Sequence, residues 1–101
     1  MAKGYWVARV DVENPEGYKA YIQANAAALK KYGGRFLVRG GKMHCPEGKS
    51  RARNVVIEFA DYQTAYDCWY SPEYQAAIPF RTPHSVGDFI IIEGYEGAQP
   101  A

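Results

Sequence analysis

The sequence is poor in cysteine, has little excess charge and contains no long apolar run. Its 101 residues include two cysteines, Cys45 and Cys68, with no Cys-x-x-Cys pair and no Cys/His spacing of a metal site. This pattern argues against a disulfide framework, a thiolate cluster and a metal centre. Twelve Lys and Arg against eleven Asp and Glu leave a net charge of +1, whereas nucleic-acid binders usually carry a basic surplus. We therefore predict no metal, no cofactor and no nucleic-acid partner.

The apolar segments are short, whereas aromatic residues are plentiful. The apolar stretch that ends at Val7 is too short for a signal-peptide core, and nothing approaches the roughly 20 residues of a membrane span. These features predict a cytoplasmic protein without a membrane partner. Aromatic residues make up 15% of the chain, with nine Tyr, two Trp and four Phe. Tyr and Trp combine a large apolar area with a polar group, which suits both a core and a binding surface.

Hydrophobic periodicity and capping residues divide the chain into strands and helices. Asn14-Pro15 predicts the start of the first helix and Gly33-Gly34 its end. Asp61 is the predicted cap of a second helix, which restarts at Ser71-Pro72. In chain order, we predict a strand at 5–12, a helix at 15–32, strands at 35–42 and 54–59, a helix at 61–78 with a break at 71, and a strand at 87–95. Residues 96–101 are a predicted frayed tail.

The order β-α-β-β-α-β predicts one ferredoxin-like α+β domain over residues 1–101, with a four-stranded antiparallel sheet and both helices on one face. Alternation assigns part of each strand to the other, open face. The residues assigned to this open face are Tyr5, Val7, Arg9, Asp11, Leu37, Arg39, Val56, Glu58, Phe89, Ile91, Glu93 and Tyr95. This face is too apolar for water and too charged for a core. A second copy across a two-fold axis would bury it, so we predict a homodimer.

Four charged residues of this predicted open face, Arg9, Arg39, Glu58 and Glu93, would come close together in such a dimer. One interpretation is a site that holds an anionic ligand through its guanidinium groups. The other is a set of interface salt bridges, which is the more common role of buried ion pairs. The sequence leaves both interpretations open.

Candidates for proton transfer are few. Ser71 has no general base in the pattern and is predicted to be a helix cap. Tyr74 follows it in the same helix, and a buried tyrosine hydroxyl needs a hydrogen-bond partner. His84 is preferred over His44 as an acid–base group because it follows Arg81 and enters the last strand.

Several segments resemble the domain of unknown function 1330 family (DUF1330), a group of small proteins found mainly in bacteria. The segments are Gly4-Tyr5-Trp6-Val7-Ala8-Arg9-Val10-Asp11-Val12, Tyr32-Gly33-Gly34-Arg35-Phe36-Leu37-Val38-Arg39-Gly40-Gly41, Val56-Ile57-Glu58-Phe59, Trp69-Tyr70-Ser71-Pro72-Glu73-Tyr74-Gln75 and Ile90-Ile91-Ile92-Glu93-Gly94. The resemblance implies a dimeric α+β barrel and no assigned activity. Family-like positions are Arg39, Gly40, Glu58, Ser71, Tyr74, Arg81 and Glu93. Asn25-Ala26-Ala27 departs from relatives, which often have a proline there.

Two functions are compatible with these observations. The first is a homodimeric protein that binds a small carboxylate or aromatic ligand, with Arg9, Arg39, Glu58, Arg81 and Glu93 as ligand-binding candidates. The second is a cofactor-independent isomerase, lyase or monooxygenase that acts on small organic acids or aromatic metabolites. In the second function, His84 or Tyr74 would transfer a proton. The pocket would lie either inside the barrel or in the aromatic-rich cleft between helices and sheet.

Overall fold

The computed structural model describes residues 2–100 and has the predicted element order. The strands are β1 (Gly4–Val12), β2 (Arg35–Arg39), β3 (Arg53–Phe59) and β4 (Ser85–Glu93), and the helices are α1 (Pro15–Tyr32), α2 (Tyr62–Trp69) and α3 (Pro72–Ala77). Two single 3₁₀ turns, Ile78–Phe80 and Thr82–His84, connect α3 to β4. Residues 94–100 contain no helix or strand. Within the described chain, no helix has both the length and the apolarity needed to cross a bilayer.

The four strands form one antiparallel sheet in the order β2-β3-β1-β4. The helices cover one face of this sheet, so the predicted ferredoxin-like α+β fold is confirmed. The molecule measures 45 × 36 × 17 Å. Its smallest dimension fits one sheet and one layer of helices, because packed layers lie about 10 Å apart.

The predicted capping residues fix the ends of the helices. The Asn14 side chain accepts a hydrogen bond from the Gly17 amide at 3.2 Å, and the Asp61 carboxylate accepts one from the Thr64 amide at 2.7 Å. The Ser71 hydroxyl accepts one from the Tyr74 amide at 3.2 Å and so starts α3 after a break in the chain direction. These side chains satisfy amides that have no partner within the helix.

The core is built around Trp6 of β1. Its ring lies 4.7 Å from the ring of Tyr74 and 5.1 Å from that of Phe59, measured between centroids. The indole N–H donates to the Ala65 carbonyl of α2 at 2.8 Å. Contacts of tilted aromatic rings typically contribute about 0.5–1.5 kcal/mol each beyond area burial. The aromatic side chains therefore fix the positions of α2 and α3 on the sheet.

The assignment of faces predicted for β4 is wrong. Ile91 pairs with Trp6 and Phe89 with Ala8, so both point toward the helices, whereas Ile90 and Ile92 are 53% and 47% exposed on the open face. The four consecutive apolar residues at 89–92 do not alternate with polar ones, so the sequence does not show which of them face the helices. Pairing with β1 alone decides this. Glu93 shares the phase of Ile91 and therefore lies on the helix side of the sheet, not on the open face. The strand also begins two residues earlier than predicted.

The assignment for the end of β2 is also wrong, because the strand contains a bulge. Phe36 pairs with Ile57, but Val38 pairs with Val56, which leaves Leu37 as the extra residue. A bulge reverses the facing of every residue that follows it. Val38 consequently lies on the open face and Arg39 lies on the helix side. The strand ends at Arg39, since Gly40 and Gly41 have φ angles of 70° and 90°.

Candidate functional site

The candidate site is a closed cleft between α1 and the helix side of the sheet. Its free volume is about 30 Å³, and a water molecule needs roughly 10–15 Å³ of such space. The cleft therefore admits about two waters, and a larger ligand requires its walls to move. The lining residues are Trp6, Ala8, Val10, Tyr18, Tyr21, Ile22, Asn25, Phe36, Arg39, Arg53, Val55, Ile57 and Phe89.

Two guanidinium groups, those of Arg39 and Arg53, line this cleft, and a third, that of Arg81, packs against the wall residues Tyr21 and Phe89. Arg39 lies with its Cζ 4.0 Å from the centre of the Phe36 ring, and Arg53 lies 5.9 Å from that of Tyr18. Arg81, only 8% exposed, stacks 4.2 Å from the Phe89 ring. These contacts place cations on the faces of aromatic rings, where the ring quadrupole attracts them.

The same arginines have no anionic partner in the part of the chain that the structure describes. The Nε atoms of Arg53 and Arg81 are buried and have no hydrogen-bond acceptor within residues 2–100. The ion pairs found in that part of the chain involve other cations, so no carboxylate neutralises Arg39, Arg53 or Arg81 there. Burial of an unpaired guanidinium is unfavourable, which makes the cleft attractive to an anion.

Tyrosine hydroxyl groups add hydrogen-bonding capacity beside the arginines. The hydroxyls of Tyr21 and Tyr74 lie 2.7 Å apart, and Tyr74 is completely buried. Burial raises the pKa of Tyr74 far above its ordinary value, although Arg81 beside it acts in the opposite direction. Burial likewise raises the pKa of Tyr18, opposed by Arg53. Both phenols therefore stay protonated near neutral pH, so they can donate hydrogen bonds but do not serve as ready bases.

His84 lies at the beginning of α1, beside the turn that carries Tyr18. Its carbonyl accepts hydrogen bonds from the amides of Glu13 and Asn14 at 2.8 and 3.1 Å. Its ring packs directly on Gly17, where an added Cβ would come within 2.5 Å of the imidazole. The absence of a side chain at Gly17 therefore makes room for this ring.

Of the four charged residues predicted to share the open face, only Arg9 and Glu58 lie on it. Arg39 lies on the helix side because of the bulge in β2, and Glu93 lies there because of the register between β4 and β1. On the open face, Arg9 donates to the Lys49 carbonyl at 3.0 Å, and Glu58 lies 3.6 Å from Arg35. A ligand role for Arg9, Glu58 or Glu93 stays a prediction.

Of the residues that the sequence indicated, Arg39 lines the cleft, and Tyr74 and Arg81 contact its wall residue Tyr21. The lining also contains Arg53, which the sequence analysis did not single out, and Asn25, which it noted only as part of a departure from relatives. The predicted strand begins at residue 54 and leaves Arg53 outside it, yet in the structure Arg53 begins β3 and shares the strand phase of Val55 and Ile57. An arginine on the apolar phase of a strand was the signal that could have identified it. Asn25 lies in the apolar stripe of α1. A polar residue within an apolar stripe was the signal that could have identified Asn25 as a residue of the site.

A second, open cleft lies between α2 and β4. Its free volume is about 320 Å³ and its walls are Tyr62, Tyr66, Trp69, Tyr70, Phe89 and Ile91. The rings of Tyr66 and Tyr70 are 4.8 Å apart between centroids. Phe89 lines both clefts and separates them. The second cleft lacks a guanidinium in its walls, so the first is the better candidate for an anion.

The sequence matches the profile of one protein family. The chain belongs to the family described as domain of unknown function (DUF1330), whose sequence profile matches residues 3–95. The predicted resemblance is thereby confirmed. No curated protein matches the chain.

Solved structures share the fold. A protein of unknown function from Rhodopseudomonas palustris, RPA0582, superposes with a TM-score of 0.73 at 15% identity, over 95% of this chain and 85% of that chain. SnoaB, a cofactor-independent oxygenase from Streptomyces nogalater, gives 0.66 at 12% identity over 96% and 97%. A candidate antibiotic biosynthesis monooxygenase from Caulobacter crescentus gives 0.60 at 15% identity over 95% and 92%. At these identities the similarity establishes the fold alone.

Proposed function

We propose that the protein is a homodimer that binds a small organic anion, a carboxylate with a compact apolar or aromatic body, in the cleft between α1 and the sheet. The observation that carries this proposal is the burial of two arginine Nε atoms, in Arg53 and Arg81, with neither an acceptor nor a carboxylate partner within residues 2–100. A guanidinium matches a carboxylate in shape and charge and can bind both oxygens. The aromatic and aliphatic walls of the cleft would enclose the remainder of the ligand.

The anion site is tested by titration of the purified protein with acetate, butyrate and benzoate, followed by NMR or calorimetry. We expect Arg53→Gln and Arg81→Gln each to weaken binding about tenfold to hundredfold, as the loss of a charged hydrogen bond does. Arg35→Gln is the matched control, because Arg35 lies on the open face and pairs with Glu58. Equal affinities in all four proteins would exclude the proposed site.

The homodimer is proposed from the composition of the open face. Val38, Val86, Ile90 and Ile92 are each 43–53% exposed on this one surface, and monomers rarely leave such a patch in water. A second copy offers the same patch, so two sheets could pack face to face across a two-fold axis. We expect light scattering to give twice the chain mass for the native protein and the chain mass for Ile90→Glu. Gln23→Glu, on the exposed side of α1, should stay dimeric. A native monomer at micromolar concentration would contradict this part of the proposal.

Catalysis without a cofactor is the second candidate function. It is supported by the fold shared with SnoaB, which is a cofactor-independent oxygenase, and by protonated phenols beside arginines, a set of donors that can stabilise an oxyanion. His84 would be the proton acceptor.

Deuterium exchange next to the carbonyl of acetoacetate in D₂O, followed by proton NMR, tests this second function directly. The native protein should accelerate the exchange and His84→Ala should abolish the acceleration. His44→Ala, in an exposed loop, is the control and should remain active. If the native protein accelerates neither this exchange nor oxygen consumption in the presence of small organic acids, the second function is excluded.

A further inference from the structure

Asn25 is a polar residue in the middle of the face that α1 turns toward the sheet. It is 8% exposed and shares this buried face with Tyr18, Tyr21 and Leu29. Asparagine neither favours helix interiors nor is commonly buried. Its side chain contributes to the wall of the closed cleft. Neither helix formation nor core packing therefore explains an amide at this position.

The Asn25 carboxamide has no hydrogen-bond partner among the described residues. It offers two N–H donors and one acceptor oxygen, yet within residues 2–100 its side chain makes no hydrogen bond. Its polar atoms are not among the fully buried, unsatisfied side-chain atoms of the described chain, so they remain accessible to water at the cleft that the side chain borders. A ligand that displaces this water leaves the amide unsatisfied unless the ligand supplies a donor or an acceptor of its own, and an unsatisfied buried polar group is unfavourable.

We infer that Asn25 selects ligands that carry a neutral carbonyl or hydroxyl group in addition to the carboxylate. This inference rests on the proposed anion site and names the ligand class as short oxo- and hydroxycarboxylic acids. The amide can donate to a carbonyl and can both donate to and accept from a hydroxyl. It carries no charge, so it cannot offset the cost of burying a second anionic group.

The test compares ligands that differ only in this group. Butyrate, 2-oxobutyrate, acetoacetate and 3-hydroxybutyrate have the same number of carbon atoms. In the native protein we expect at least one of the three substituted acids to bind about tenfold more tightly than butyrate. In Asn25→Leu this ratio should fall to about one while the Kd of butyrate changes little. Gln23→Leu, on the exposed side of the same helix, should keep the native ratio.

The outcomes separate this inference from the anion site itself. If the carboxylates bind through Arg53 but butyrate binds as tightly as the substituted acids, the role of Asn25 is wrong and the anion site stands. If the ratio survives in Asn25→Leu, the role of Asn25 is also wrong. If no carboxylate binds, both proposals fail. Should Asn25→Leu not fold, the side-chain amide resonances of native Asn25 decide: they should shift with the preferred acid and not with butyrate.

Discussion

Removal of the Tyr74 hydroxyl should destabilise the protein much more than its small size suggests. Tyr74 is completely buried, and its hydroxyl is 2.7 Å from that of Tyr21. In Tyr74→Phe, the Tyr21 hydroxyl loses its buried partner, and Arg81 loses a polar neighbour. A buried polar group left unsatisfied costs about 1–3 kcal/mol, whereas the hydrogen bond itself contributes only about 1 kcal/mol.

The expected loss can be converted into a melting temperature. For a domain of this size, 1 kcal/mol corresponds to about 4–8 °C, so a loss of about 2 kcal/mol lowers the Tm by about 8–16 °C. Tyr21→Phe should have a similar effect. Replacement of both tyrosines leaves neither hydroxyl unpaired, so the double variant should lose less than the sum of the two single losses, by about 1–2 kcal/mol.

Thermal and denaturant unfolding of the four proteins measures this coupling. All samples need the same protein concentration, because dissociation of a homodimer would make the Tm depend on concentration. Retention of the aromatic core should be checked by near-UV circular dichroism. Two single losses that add up within about 0.5 kcal/mol in the double variant would show that the hydroxyls are not coupled. A Tyr74→Phe variant as stable as the native protein would refute the reasoning on burial.

Three further predictions concern other parts of the molecule. In a helix interior alanine is about 1 kcal/mol more favourable than glycine, and Gly17→Ala, in the first turn of α1, should realise part of this gain. The added Cβ would collide with the His84 ring, so unfolding experiments should show the gain in the His84→Ala background and a smaller one or a loss in the native background. Burial raises the pKa of the Cys68 thiol to about 12, so a thiol reagent at pH 8 should label exposed Cys45 alone until denaturant is added. Hydrogen bonds from the loop after β2 lower the pKa of Asp11. The ionised Asp11 carboxylate therefore stabilises the fold above the unfolded pKa of 3.8, and this stabilisation is lost as the pH falls through the lower pKa of the folded state. Asp11→Asn should speed trypsin cleavage of that loop at pH 7.

The helix ends and the overall fold could be predicted because they depend on local chemistry. Asn14, Asp61 and Ser71 cap helices through bonds to amides three residues away. Gly33 ends α1 because it adopts a left-handed φ of 70°. With the alternation of β1 and β3, these positions determine the element order, and the order permits few topologies.

The assignment of residues to the two faces of the sheet was wrong where pairing between strands, and not the local sequence, decides which way a side chain points. The four apolar residues at 89–92 are compatible with either phase, and only the register with β1 shows that Ile90 and Ile92 lie on the open face. Arg81 could be named from the sequence, but its stacking on Phe89 could not. Arg81 follows a 3₁₀ turn, whose position relative to β4 is a property of the tertiary structure.

The bulge in β2 connects the fold with both proposals. In a regular ladder Arg39 would lie opposite Asn54, on the open face, and would bring a charge to the surface proposed for the second copy. The extra residue, Leu37, instead places Arg39 opposite Val55 and over the Phe36 ring. Val38 then takes the place on the open face. A single added residue thus removes a cation from an apolar surface and brings it to the cleft that Arg53 also lines, where the Arg53 guanidinium has no carboxylate partner among the described residues.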